Sequence, residues 1–162
     1  MGNWIIRKMQ EKDLEEVAAI EKRTFTDAWS LLSFKEELAN PYAVYICVRE
    51  TQEGPIAAYC GYIRSFEDAQ ILNVAVDAPF RGRGVAREMM TRLMEYGRSE
   101  GVDNFTLEVR AGNAAAIALY EKLGFRSVGE HRNFYSNPRE DALIMWYFAA
   151  EHLQDGKEHV TE

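Results

Sequence analysis

The stretch Leu72-Asn73-Val74-Ala75-Val76-Asp77-Ala78-Pro79-Phe80-Arg81-Gly82-Arg83-Gly84-Val85-Ala86 decides the fold. Residues 71–76 are mainly apolar and β-branched, as in a buried strand, and from Val85 onward Val85, Met89, Leu93, Met94 and Gly97 trace one helical face. A strand therefore runs into a glycine-containing turn that opens a helix. Unpaired backbone N–H groups and the positive end of the helix dipole converge there, which is the chemistry of a phosphate site. Gly82 and Gly84 let the backbone approach a ligand, and Arg81 and Arg83 can add charge. An ordinary tight turn would account for two glycines taken alone. A P-loop would need Lys-Ser or Lys-Thr where Val85-Ala86 stand, and a dinucleotide fingerprint would place its third glycine at Arg87.

Upstream of this stretch, residues 4–9 read as a first strand. Asp13 can cap a helix that carries Leu14, Val17, Ala18 and Ile20 on one face and ends near Thr24. A short helix over 30–40 is stopped by Pro41, strands 42–49 and 56–66 are joined through Gln52-Glu53-Gly54-Pro55, and 69–76 is a further strand. Downstream, the helix over 84–100 meets Gly101 as a C-terminal cap, and 105–109 is a short buried strand. Asn113 caps a helix through Leu123 that Gly124 ends, and strands follow at 125–128 and 142–148. The order β-α-α-β-β-β-α-β-α-β-β implies a mixed α/β sheet, with hairpins in the first half and parallel crossovers in the second.

Composition bounds the rest. A chain of 162 residues, 47% hydrophobic, supports one core, so a single domain is expected over 1–150, with a polar tail over 151–162. No apolar run approaches the roughly 20 residues that cross a bilayer, and the first residues lack the pattern of a secretory leader, so the expectation is a cytosolic protein without membrane association. Cys47 and Cys60 sit in apolar runs and read as buried free thiols, while His131, His152 and His159 are too scattered for a metal site. The net charge of −7 disfavours nucleic acid and suits a basic substrate.

A second segment carries chemistry: Thr106-Leu107-Glu108-Val109-Arg110-Ala111-Gly112-Asn113, followed by the helix that contains Tyr120 and ends at Leu123-Gly124-Phe125. Glu108 alternates with Leu107 and Val109 onto the opposite strand face. Asn113 and Tyr120 lie about two turns apart on one side of the helix, so strand and helix can present Glu, Asn and Tyr to one cleft. Each also has a plainer reading: Glu108 facing water, Asn113 as an N-cap, Tyr120 as a core aromatic.

The run Arg-x-x-Gly-x-Ala from Arg81 to Ala86 resembles the acetyl-CoA signature of the GNAT acetyltransferases. The second segment resembles a further signature of that family, L-E-V-R-x-x-N-x-x-A-x-x-L-Y-x-x-x-G-F, with every fixed position present. This longer string is similar to the RimI type, which acetylates the N-terminal alanine of a ribosomal protein. Arg132-Asn133-Phe134-Tyr135 with Glu140-Asp141-Ala142 resembles the ending of that group, and residues 21–30, with Phe25 and Trp29-Ser30, resemble its substrate loop. Where the group commonly has Pro before that Trp, this chain has Ala28.

The resemblance implies a GNAT fold. It implies that acetyl-CoA is held by Val74, Ala75, Val76, Arg81, Gly82, Arg83, Gly84, Val85, Ala86 and Asn113, with no metal. It further implies Glu108 as base, Tyr120 as acid, and Phe25, Trp29 and Tyr135 at the acceptor, a protein N-terminus entering between the 25–30 and 134–141 loops. An acetyltransferase for a small amine or a lysine side chain would share the CoA site, and a non-catalytic CoA-binding partner subunit would need neither Glu108 nor Tyr120.

Overall fold

The computed structural model describes residues 3–153. Its elements are β1 (Ile5–Lys8), α1 (Leu14–Thr24), α2 (Leu31–Leu38), β2 (Ala43–Arg49), β3 (Ile56–Ser65), β4 (Asp68–Val76), α3 (Val85–Ser99), β5 (Asn104–Arg110), α4 (Ala114–Lys122), β6 (Arg126–Ser136) and β7 (Arg139–Phe148). The strands form one sheet in the order β1-β2-β3-β4-β5-β7-β6. Pairing is antiparallel except between β4 and β5, which are joined through α3 and run parallel.

Strand alternation divides the core between the two faces of the sheet. Ile46, Val48, Tyr62 and Phe105 pack with Met89, Met90 and Leu93 of α3. Tyr45, Cys47 and Tyr59 turn the other way, onto Leu14, Val17 and Ile20 of α1 and Phe34 of α2. Cys47 and Cys60 are buried free thiols, and burial pushes both well above the usual thiol range.

Four details differ from the sequence reading. The crossover through α4 does not set β6 beside β5, because β7 returns between them and pairs with β5 from Asn104↔Phe148 to Arg110↔Ala142. The last two strands are longer than 125–128 and 142–148. The added part of β6 is an exposed outer strand whose residues Glu130, His131, Arg132 and Asn133 carry no apolar alternation. Asp13 does not cap α1 with its side chain; it ends a short 3₁₀ turn, Glu11–Asp13, and its carboxylate accepts from the Gln10 N–H (2.8 Å) and from Arg49 (3.1 Å). The boundary expected at 150 falls inside a 3₁₀ turn, Ala149–His152, where Glu151 pairs with Arg126 at 2.8 Å and His152 stacks on Tyr147. From residue 154 the expected tail lies outside the described residues.

One feature of the sheet positions the site. β4 and β5 pair only through Asp68↔Asn104, Ala69↔Phe105 and Gln70↔Thr106. Beyond that the two strands separate, and β4 carries a bulge at Asn73–Val74, where two residues face Cys60 of β3.

Candidate active site

Where β4 and β5 part, they enclose a cavity of about 410 Å³. Ile71 to Val74 of β4 and Leu107 to Arg110 of β5 form its walls, with Asn113, Ala116 and Tyr120 of the α4 segment. Phe25, Trp29, Phe134, Tyr135, Asn137 and Pro138 close it from two loops.

Glu108 reaches the cavity because β5 alternates strictly, with Phe105, Leu107 and Val109 buried behind it. Its Oε2 lies 3.2 Å from Nδ1 of His131. Tyr120 comes from α4, which Asn113 starts by accepting the Ala116 N–H on Oδ1 (3.2 Å) and which Gly124 follows in the left-handed region at φ +102°. Tyr120 is 7% exposed and packs on Phe125. Burial pushes its phenol well above the usual range, so it stays protonated at neutral pH. Among the described residues its hydroxyl has no hydrogen-bond partner. Asn113 is therefore both cap and cavity wall, and Tyr120 both core aromatic and cavity wall.

On the β4 side, Val74 lines the cavity, Ala75 is buried on the α1 face, and the Val76 carbonyl accepts from Nε of Arg81 at 2.9 Å. The bulge is held by a group the sequence reading passed over. Asn73, with φ +57°, donates from Nδ2 to Oε2 of Glu21 (3.2 Å) and accepts the Tyr45 hydroxyl on Oδ1 (3.0 Å). Glu21 is a charged residue only 2% exposed, and it also accepts the Tyr59 hydroxyl (2.8 Å) and the Trp29 backbone N–H (3.1 Å). One carboxylate thus ties the bulge, the α1–α2 loop and β3 together. Its signal in the sequence was position: Glu21 follows Val17 by one turn on the buried face of α1.

After β4, Asp77 caps the 3₁₀ turn Ala78–Phe80 and receives a two-pronged contact from Arg23, at 3.0 and 2.7 Å. Gly82 and Gly84 follow with φ of +77° and +78°, a conformation that side chains with a Cβ resist, and the space beside each is open. Gly84 starts α3 with no side-chain cap, so the first-turn N–H groups of Val85 and Ala86 have no capping side chain. Arg83 turns away to pair with Glu50 and to lie over the Trp4 ring at 4.9 Å.

The acceptor side is built from two segments that meet. The Thr26 hydroxyl donates to the Asn137 carbonyl, joining the α1–α2 loop to the turn between β6 and β7. Trp29 packs on Phe34 at 5.4 Å, and Phe25 is 37% exposed at the mouth. The expected loop over 134–141 is instead the end of the β6–β7 hairpin. Arg110, the arginine of the L-E-V-R run, anchors that end: it lies 4.1 Å from the Tyr135 ring centre, donates to the Pro138 carbonyl (3.0 Å) and pairs with Glu140 (3.2 Å). Such tertiary partners have no local sequence signal. Among the described residues, no group of three His, Cys, Asp or Glu could hold a metal, and no helix is long and apolar enough to cross a membrane.

Comparison with known proteins agrees with this geometry. Residues 14–125 match the family model described as Acetyltransferase (GNAT) family. The chain is 37% identical over 142 residues to the ribosomal protein bS18-alanine N-acetyltransferase of Escherichia coli, covering 86% of this chain and 94% of the relative. It is 33% identical over 147 residues to the N-alpha-acetyltransferase RimI of Mycobacterium tuberculosis, covering 86% and 89%. The crystal structure of the Escherichia coli ribosomal-protein-S18-alanine N-acetyltransferase superposes with a TM-score of 0.82 at 34% identity, over 90% of this chain and 94% of that one. The chain belongs to the GNAT family of acetyltransferases.

Proposed function

We propose that this chain transfers the acetyl group of acetyl-CoA to the α-amine of a protein N-terminus, that of a ribosomal protein beginning with alanine, in the cytoplasm. The observation that carries the reading is the cavity between the separated strands, whose walls hold Glu108 and Tyr120 and whose mouth is framed by Phe25, Trp29 and Tyr135. Two RimI-type relatives that cover most of this chain act, by their names, on N-terminal amines.

The residues present fit the donor. Gly82 and Gly84 leave open space at the start of α3, where uncapped N–H groups and the helix dipole suit a diphosphate. Val85 and Ala86 carry those first-turn N–H groups, Arg81 and Arg83 flank the glycines, and Asn113 lines the cavity. At the bulge, two residues facing one leave a backbone N–H near Val74 outside the ladder, where it can polarise the thioester oxygen.

In the transfer, the acceptor nitrogen bonds to the thioester carbon, the C–S bond breaks, Glu108 takes the amine proton and Tyr120 gives a proton to the sulfur. The acceptor class matters to a carboxylate base. A protein α-amine titrates near 7.7–8.0 and lysine near 10.4, so freeing the α-amine is easier by about 3.5 kcal/mol. The net charge of −7 draws a basic peptide, an attraction that added salt screens.

The test is thioester consumption with an alanine-initiated basic peptide and with the same peptide N-terminally blocked. Turnover is expected only with the free amine. Equal turnover with both, or turnover confined to small amines such as spermidine, overturns the reading.

A further inference from the structure

The pairing of Glu108 with His131 is not accounted for by the transfer step itself. Glu108 lies on β5 and His131 on β6, with β7 between them. Cross-strand registers set Arg110 opposite Ala142 and Ala142 opposite His131, so these three side chains share the sheet face of Glu108. Glu108, opposite Ile144, and His131, opposite the small Ala142, reach diagonally across β7 to meet at 3.2 Å. The imidazole is steadied by the Phe134 ring, 4.7 Å away between centres. Among the described residues no other group bonds the Glu108 carboxylate. The two ends differ in their access to water: the Glu108 side chain is 21% exposed, the His131 side chain 55%.

We propose that His131 is the proton outlet of Glu108, a positioning residue that carries the amine proton from the half-sheltered carboxylate to bulk water; this rests on the assignment of Glu108 as base. The proton leaves the acceptor nitrogen for Glu108 and passes from Oε2 to Nδ1 of His131, in the ring tautomer that carries its own proton on Nε2 and leaves Nδ1 open to accept. The resulting imidazolium gives a proton to water, which restores the carboxylate and the neutral ring. Tyr120 recovers from water the proton it gave to sulfur, so the cycle closes.

Other charged and titratable groups around the pair do not offer this route. Arg110 is engaged with Glu140 and the hairpin carbonyls, and Asp141 accepts the Asn133 N–H. The phenols of Tyr120 and Tyr135 are pushed up, chiefly by burial, and hold their protons. Glu130 and Arg132, the neighbours of His131 on β6, are exposed.

The test is a double-mutant cycle of His131→Ala and Glu108→Gln, with saturating acetyl-CoA and an alanine-initiated peptide. His131→Ala alone should lower kcat by about tenfold or more, leave the peptide KM and the acetyl-CoA Kd unchanged, and alter the acid limb of the kcat profile. Added imidazole should restore turnover in that variant. In the Glu108→Gln background the same change should have no further effect. Wild-type kcat in a folded His131→Ala beside an impaired Glu108→Gln overturns the outlet alone, as does an equal loss in both backgrounds. Full turnover in Glu108→Gln overturns the base assignment, and the outlet with it.

Discussion

Replacing Glu21 by Ala removes the acceptor that joins β3, the bulge of β4 and the α1–α2 loop. Its Oε1 takes the Tyr59 hydroxyl at 2.8 Å, and its Oε2 takes the Trp29 N–H at 3.1 Å and Nδ2 of Asn73 at 3.2 Å. Tyr59 is 0% exposed and its hydroxyl loses its partner, whereas Trp29 and Asn73 border the cavity and can be solvated. A buried donor left unpaired costs about 1–3 kcal/mol. Taking about 2 for Tyr59 and about 1 for each of the others gives a loss of about 4 kcal/mol. Against a total stability of about 5–15 kcal/mol, that variant is folded but marginal. Glu21→Gln keeps one oxygen for Trp29 and Asn73 and turns its amide N–H toward the Tyr59 oxygen, so the charge is lost and the Tyr59 hydroxyl proton loses its acceptor while its oxygen gains a donor, at about 2 kcal/mol. Urea unfolding of the three proteins measures both differences. An alanine variant within about 1 kcal/mol of wild type, or a glutamine variant as damaging as alanine, refutes the reasoning.

Gly84→Val forces a β-branched residue to a φ of +78° at the start of α3, and acetyl-CoA affinity by calorimetry should fall at least tenfold; unchanged affinity in a folded variant would place the diphosphate elsewhere. Tyr120→Phe keeps the packing on Phe125 and should lower kcat by about 10²–10⁴-fold with donor affinity kept, so wild-type turnover would leave Tyr120 only a packing role. The Arg23 guanidinium holds the Asp77 carboxyl below the usual carboxylate range. A depressed folded-state value stabilises above the unfolded value of about 3.9 and loses that contribution as pH falls through the folded one. Asp77→Asn should therefore show a shallower fall of Tm below about pH 4 than wild type, and parallel Tm curves would contradict this.

What the sequence could reveal follows the range of its signals. The strand–turn–helix at 72–86 and the caps Asn113, Gly101 and Gly124 are local, and the structure has them where expected. Glu108 sits on a strictly alternating strand and Tyr120 stands two turns from Asn113, so the side each presents could be read from spacing, and both border the cavity. The outer strand β6 has no apolar alternation because it is exposed along nearly its whole length, and most of it passed for loop. Placing β7 between β5 and β6 is a tertiary choice that no local pattern encodes. Glu21, Asn73, Arg110 and His131 matter through partners 23 to 52 residues away, and a single sequence does not announce such pairs.

The central claim is that the acetyl group goes to a protein α-amine, and its most direct measurement is where that group is found. A peptide beginning with alanine and carrying internal lysines, incubated with the enzyme and acetyl-CoA, is fragmented by mass spectrometry. A single acetyl group is expected on the α-amine of the first residue, with every lysine side chain free. An acetyl group on a lysine, with the α-amine unmodified, would contradict it.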